Sequence, residues 1–159
     1  MIIVRPVSLD DADVLLEWRN DPATRAASLS TQPVDRDAHV EWLMRAIADP
    51  RRTLYIGELE GTAIGTIRFD AESDTDVEVS LTVAPRQRGK RLAGPLLKAG
   101  LALFSGDAAQ NQRITARIRE ENAASRALFT SAGFVELGSA DGVLTYALPP
   151  REVRTEAPS

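Results

Sequence analysis

The stretch Val83-Ala84-Pro85-Arg86-Gln87-Arg88-Gly89-Lys90-Arg91-Leu92-Ala93-Gly94-Pro95-Leu96-Leu97 decides how this chain is read. Before it, Val77, Val79, Leu81 and Val83 alternate with Glu78, Ser80 and Thr82. That is a period of two with one apolar face, so a strand ends at Val83, and Pro85 stops it. After it, Leu92, Leu96, Ala99 and Leu103 form one stripe of a helix that runs to about Ser105. Pro95 is tolerated because the helix begins near Leu92, where first-turn N–H groups have no internal partner. Between strand and helix, Arg86, Arg88, Lys90 and Arg91 put four basic residues within six positions. Backbone N–H groups at a helix start face solvent, and the helix dipole adds about half a positive charge. The junction predicts an anion site, with phosphate as the best fit. A solvated basic turn has the same charges. Gly89-Lys90 is not a Walker loop, since no glycine stands five residues earlier and no Ser or Thr follows, and no GxGxxG is present.

The basic junction stands out because the rest of the chain is acidic. The 159 residues hold 19 Lys plus Arg against 23 Asp plus Glu, a formal net charge of −4. A mildly acidic chain is a poor general nucleic-acid binder, because phosphate neutralisation supplies most of that affinity. No cysteine is present, which excludes disulfides, thiolate metal sites and cysteine nucleophiles. His39 is the single histidine, so histidine-dependent catalysis or metal binding would have to pass through it. No apolar run approaches the roughly 18 residues of a membrane span. The segment MIIVRPVSLDDAD lacks a basic n-region and a cleavage site, so a cytoplasmic protein with no membrane partner is expected.

Ile2 to Val7 reads as a strand, followed by a helix capped by Ser8 or Asp10 and running to about Asn20, where Pro22 should stop it. Asp35 caps a second helix to Ala48, with Val40, Leu43, Met44 and Ile47 on one face. Strands follow at about 53–59, 63–69 and 77–83, joined by short loops that favour an antiparallel meander. After the central helix come a strand at 114–118, a helix at 122–132 with Gly133 as its C′ residue, and a last strand at 143–148. A strand, crossover helix and strand imply one parallel pair in a mostly antiparallel sheet. The class is α+β, or mixed α/β, in one domain over 1–148. The polar tail over 149–159 is expected to be disordered.

The Val83–Leu97 phrase resembles motif A of the Gcn5-related N-acetyltransferases (GNAT), Val-x-Pro-x-x-(Gln/Arg)-x-x-Gly-x-(Gly/Ala) and then an amphipathic helix. Val83, Pro85, Arg88 and Ala93 match, and Arg91 stands where glycine is usual. Asn122 to Phe134 resembles motif B, Asn-x-x-(Ser/Ala)-x-x-Leu-(Tyr/Phe)-x-x-x-Gly-Phe, through Asn122, Ser125, Leu128, Phe129, Gly133 and Phe134. The resemblance spans nearly all of 1–148. It implies a sheet whose parallel pair splays around acetyl-CoA, flanked by about four helices.

What the resemblance implies can be placed residue by residue. A bulge in the strand before motif A would offer the amides of Leu81, Thr82 and Val83 to the acetyl carbonyl and pantetheine. Arg88, Gly89, Lys90, Arg91, Leu92 and Ala93 would hold the pyrophosphate, with Asn122 and Phe129 beside the pantetheine arm. Glu78, on the polar face of its strand, would be the general base through a water, unless it is simply an exposed strand residue. Phe129 fills a position where many family members carry a tyrosine acid and cannot donate a proton. Ser125 or a water would then protonate the sulfur, or the thiolate leaves unaided. No metal is implied.

The N-terminal block, with Trp18, Arg19, Asn20 and Arg25, and His39-Val40-Glu41-Trp42-Leu43 resemble the subgroup that acetylates nucleotide-linked amino sugars on the pseudaminic acid route. Ribosomal-protein N-terminal acetyltransferases are similar in pattern. In that subgroup the first two helices wall the acceptor cleft, so Trp18, Arg19, Asn20 and Arg25 would bind substrate there, unless Trp18 is core and Arg19 solvated. A UDP-amino sugar is the leading acceptor. A protein α-amine, another small amine and a non-catalytic acyl-CoA-binding module are the alternatives. A homodimer is compatible with the sequence.

Overall fold

The computed structural model describes residues 1–27, 33–107 and 112–149. The expected tail beyond Pro149 lies outside them. Seven strands form one sheet in the order β1-β2-β3-β4-β5-β7-β6: β1 Ile2–Pro6, β2 Arg52–Leu59, β3 Thr62–Ala71, β4 Asp76–Val83, β5 Arg113–Arg119, β6 Val135–Ala140 and β7 Val143–Leu148. Among the described residues five α-helices flank it: α1 Ala12–Arg19, α2 Pro22–Ala27, α3 Arg36–Ala48, α4 Ala93–Asp107 and α5 Ala123–Ser131. All strand pairs are antiparallel except β4 with β5, which α4 connects. The mixed class, the meander β2-β3-β4 and the single parallel pair are as the sequence implies. Among the described residues no helix is long and apolar enough to cross a membrane.

Local chemistry sets the helix ends. Ser8 and Asp11 form a reciprocal capping box before α1. Arg5 then grips both oxygens of Asp11, at 2.8 and 2.9 Å, tying β1 to the start of that turn. Asp35 caps α3 through the Ala38 N–H at 2.8 Å. At the end of α5 the Phe134 N–H reaches the Phe129 carbonyl and the Gly133 N–H reaches that of Thr130. Gly133, at φ +97°, supplies the left-handed residue that this double closure needs.

Pro22 corrects the sequence reading. It does not merely stop α1 but begins α2, because the first position of a helix has no N–H bond to lose. Asp21 accepts the Thr24 N–H at 3.2 Å and caps that new helix.

The sheet carries a core on each face. On one face Ile67, Phe69, Val77 and Val79 pack under Leu97 and Phe104 of α4 and Phe129 of α5. On the other, Val7, Ala12, Trp18, Leu43 and Ile56 join α1 and α3 to the β1–β2 half of the sheet. That second core stops short, leaving a polar surface on β3, β4 and β5 on the same face.

Candidate functional site

Parallel pairing fixes the site. β4 and β5 are in register only from Asp76↔Arg113 to Glu78↔Thr115. β4 then runs on to Val83 and β5 to Arg119 with no pairing between them, so the two strands splay. The edge of β4 through Leu81, Thr82 and Val83 is therefore left without a strand beside it. Both strands point the same way, so the helix starts that follow them, α4 and α5, flank the mouth of the splay. The opening arises from this divergence. The bulge expected in β4 is absent, since β3 and β4 pair without interruption from Gly65↔Val83 to Ala71↔Val77.

The basic junction lies at that mouth. After a single 3-10 turn at Pro85–Gln87 the chain passes through Gly89 at φ +79° and Arg91 at φ +59° into α4. Arg91, which stands where the resembled motif usually has glycine, takes a left-handed backbone that favours glycine. The consecutive backbone N–H groups from Gly89 to Gly94 donate to no protein acceptor among the described residues. Pro95 is the third residue of α4, inside the first turn as expected. Such a run of free donors at a helix start is a cradle for an anion of several oxygens.

Arg88 has a partner outside the loop. Its guanidinium lies 3.2 Å from Asp21 Oδ2 and 2.8 Å from Thr24 Oγ1, bridging the loop to the start of α2. Desolvation opposes ionisation of Asp21, but the Thr24 N–H and Arg88 outweigh it and hold the carboxyl below its usual range. Asn122 Oδ1 caps α5 by accepting the Ser125 N–H at 3.1 Å. Ser125 sits in the first turn of α5, at the mouth. Phe129 faces the other way: it is buried edge-on against Phe134 in the core.

The polar surface of β3, β4 and β5 carries a band of paired charge. Arg68 Nε lies 2.8 Å from Asp70, which also neighbours Arg52. Arg117 bridges Glu72 and Glu78, the latter at 2.8 Å, and Arg113 forks onto Asp76. Glu78 is mostly buried, with its side chain 21% exposed. Burial pushes its carboxyl above the ordinary range; Arg117 pulls it down, while Glu72 and Asp70 push it further up. A carboxylate raised in this way is a better proton acceptor than an ordinary one.

The α1–α3 wall beside this band corrects two expectations. Trp18 is 7% exposed and belongs to the second core, so it faces no cleft. Asn20 exchanges hydrogen bonds with the Val34 backbone, at 2.9 and 2.8 Å, and tethers the end of α1 to the chain before α3. Arg19 does reach the surface, with its guanidinium 5.0 Å from the centre of the Trp42 ring. Trp42, not Trp18, is the indole of this wall. Desolvation lowers the Arg19 pKa, and the nearby Arg68 charge lowers it further. Arg19 has no acidic partner among the described residues. The Arg25 side chain lies outside them. His39 is buried against Trp42 and held below its ordinary pKa, by desolvation first and then by Arg19, so it packs as a neutral ring.

Residues 1–135 match the family model described as Acetyltransferase (GNAT) domain. The chain belongs to the GNAT acetyltransferase family. It is an N-acetyltransferase, and the family uses acetyl-CoA. No curated protein matches this GNAT chain. Among solved structures, AAC(6′)-Ib in complex with paromomycin and acetyl-CoA aligns at TM-score 0.82 and 21% identity, covering 99% of this chain and 98% of that one. The Brucella melitensis ribosomal-protein-alanine N-acetyltransferase aligns at TM-score 0.76 and 23% identity, covering 92% and 99%. The Campylobacter jejuni N-acetyltransferase PseH aligns at TM-score 0.71 and 14% identity, covering 93% and 97%. At these identities the likeness is one of fold.

The GNAT domain has the features acetyl-CoA requires, judged on its own residues. The open β4 edge can pair with the amides of a pantetheine arm, and the free N–H run can hold a pyrophosphate. Arg91 is the position to test. Its left-handed backbone costs about 1 kcal/mol more than glycine would. Arg91→Gly is expected to raise the melting temperature by about 2–4 °C for a chain of this size. Acetyl-CoA at millimolar concentration should protect wild type and Arg91→Gly against heat alike, and Arg91→Glu much less. Equal protection of the glutamate variant would mean that this side chain points away from the anion.

Proposed function

We propose that this acetyltransferase modifies the amine of an anionic small molecule, with a nucleotide-linked amino sugar as the best-fitting acceptor. The observation that supports this is Arg19. Each carboxylate of the polar band, Asp70, Glu72, Asp76 and Glu78, has an arginine partner: Arg117 is shared by Glu72 and Glu78, and Asp70 has both Arg68 and Arg52 beside it. The cleft is therefore no trap for a polycation. Arg19 is the cation left over, stacked on an indole and close enough to Arg68 to feel its charge. Two neighbouring guanidiniums, Arg19 and Arg68, fit a phosphate, and the Trp42 face fits a sugar or base.

That placement supports the following roles. Gly89 to Ala93 hold the pyrophosphate through their amides. Leu81, Thr82 and Val83 pair with the pantetheine arm, and Asn122 and Ser125 flank it from α5. Acetyl-CoA supplies the activated acetyl group. Glu78 takes a proton from the attacking amine through a water, so that the nitrogen attacks in its neutral form. Phe129 is in the core and donates no proton. The departing sulfur is left to the Ser125 hydroxyl or to water.

A panel of acceptors tests the reading: UDP-amino sugars, unmodified amino sugars, a peptide α-amine and spermine, with CoA release as the measure. The UDP-amino sugars are expected to turn over fastest. Arg19→Ala should raise their KM by a factor equivalent to about 1.5–3 kcal/mol, as for a lost charged hydrogen bond, and leave the acetyl-CoA KM nearly unchanged. A peptide amine that outpaces every UDP-amino sugar would transfer the assignment to ribosomal-type α-amine acetylation.

A further inference from the structure

Glu78 is the proposed base, and the side chain that meets it comes from the opposite side of the splay. Arg117 stands on β5, two residues beyond Thr115, the last position in register with β4. Its Nε lies 2.8 Å from Glu78 Oε2, and its Nη2 bonds Glu72 at the start of the β3–β4 turn. Glu72 is itself held by the Thr115 hydroxyl at 3.4 Å. One guanidinium thus spans three elements on the polar face, where the two strands part.

We infer that Arg117 is the positioning residue of this acetyltransferase, holding the Glu78 carboxylate in a fixed orientation and in its charged form beside the acceptor. The inference rests on the reading of Glu78 as the base. Arg117 is 56% exposed and Glu72 is 37% exposed, so these ion pairs add little to stability. Their geometry matters more. A glutamate free to rotate on an open strand would spend little time aimed at an amine, whereas a guanidinium donating from Nε and Nη2 fixes it against a second anchor.

The charges around Glu78 make the effect directional. β3 contributes Arg68 and Asp70, the β3–β4 turn contributes Glu72, β4 itself contributes Asp76 with its partner Arg113, and β5 contributes Arg117. Arg68 and Arg113 are committed to Asp70 and Asp76. Arg117 is the cation in direct contact with Glu78, and without it Glu72 and Asp70 repel that carboxylate with Arg68, already paired with Asp70, left to offset them. Loss of Arg117 should therefore let Glu78 take up a proton at higher pH.

Two measurements decide the matter. The first is a 13C NMR titration of carboxyl-labelled glutamate in the full chain, with Glu78 assigned by its absence in Glu78→Gln. Arg117→Gln is expected to move the Glu78 transition to higher pH, and Arg117→Lys to restore most of it. The second is the pH profile of kcat/KM with the best acceptor of the panel. On its acid limb Arg117→Gln should lose about tenfold more activity than on its plateau, while its melting temperature stays close to wild type. An unmoved Glu78 transition, or an equal loss at every pH, overturns the inference. If the transition moves but Glu78→Gln leaves the acid limb in place, the base assignment fails, and the positioning role fails with it.

Discussion

Glu78→Gln is expected to lower kcat about 10²-fold and to remove the rise of kcat/KM with pH, with heat protection by acetyl-CoA intact. The size follows from what one positioned base contributes to proton transfer. Glutamine preserves the volume and one hydrogen-bonding oxygen but cannot take a proton. Burial acts first on Glu78 and favours its neutral form, so the wild-type enzyme loses activity as pH falls through that raised transition. The variant has no such group to titrate. Glu78 also lies one register step before the splay and outside the amide cradle, so cofactor affinity should hardly change. Measurement of kcat, KM for acetyl-CoA and the pH profile separates the cases. An unaltered profile would return Glu78 to the role of a strand residue held in a surface ion pair.

The parts of this arrangement that were legible in the sequence are those encoded locally. Alternation from Val77 to Val83 gave β4, and the stripe from Leu92 to Leu103 gave α4. The charges of Arg86, Arg88, Lys90 and Arg91 marked the anion cradle between them. Gly133 announced the end of α5. What stayed hidden depends on contacts distant along the chain. Trp18 and Trp42 are both indoles on amphipathic helices, and only the packing of α1 against α3 and the sheet sends one inward and the other to Arg19. Asn20 looked free to bind substrate because its partner, the Val34 backbone, is fourteen residues away. Arg88 pairs with Asp21 across 67 residues, and Arg117 reaches Glu72 across 45. The expected bulge in β4 came from the family pattern rather than from this chain's residues. Here the open edge results from register ending at Glu78↔Thr115.

The second large effect is expected at Gly65, where the fold sets the height of the cofactor loop. Gly57 and Gly65 are cross-strand partners, and Leu96, in the first turn of α4, fills the notch they leave. Leu96 is fully buried. Its seat therefore fixes where α4 starts, and so where Gly89 to Ala93 present their amides. A Cβ at Gly57 would fall 2.5 Å from Leu96 Cδ1 and otherwise has room. A Cβ at Gly65 would fall 2.5 Å from the Thr82 carbonyl oxygen, 2.9 Å from Leu96 Cδ2 and 3.2 Å from Val83 Cα. A side chain can yield, but the backbone of β4 cannot do so without moving the edge at Thr82 and Val83. Gly65→Ala is expected to destabilise by about 3 kcal/mol, at the upper end for overpacking, which lowers the melting temperature by about 6–12 °C. Heat protection by acetyl-CoA should fall with it. Leu96→Ala separates the two glycines. Alone it costs about 2–5 kcal/mol for the cavity it opens. Adding Gly57→Ala to it should cost little more, because the atom that clashed is gone. Adding Gly65→Ala should still cost most of its original penalty, because the Thr82 carbonyl remains in place. If Leu96→Ala relieves Gly65→Ala as fully as Gly57→Ala, then the helix rather than the β4 backbone bears the strain, and the open edge of β4 is not held in place through Gly65.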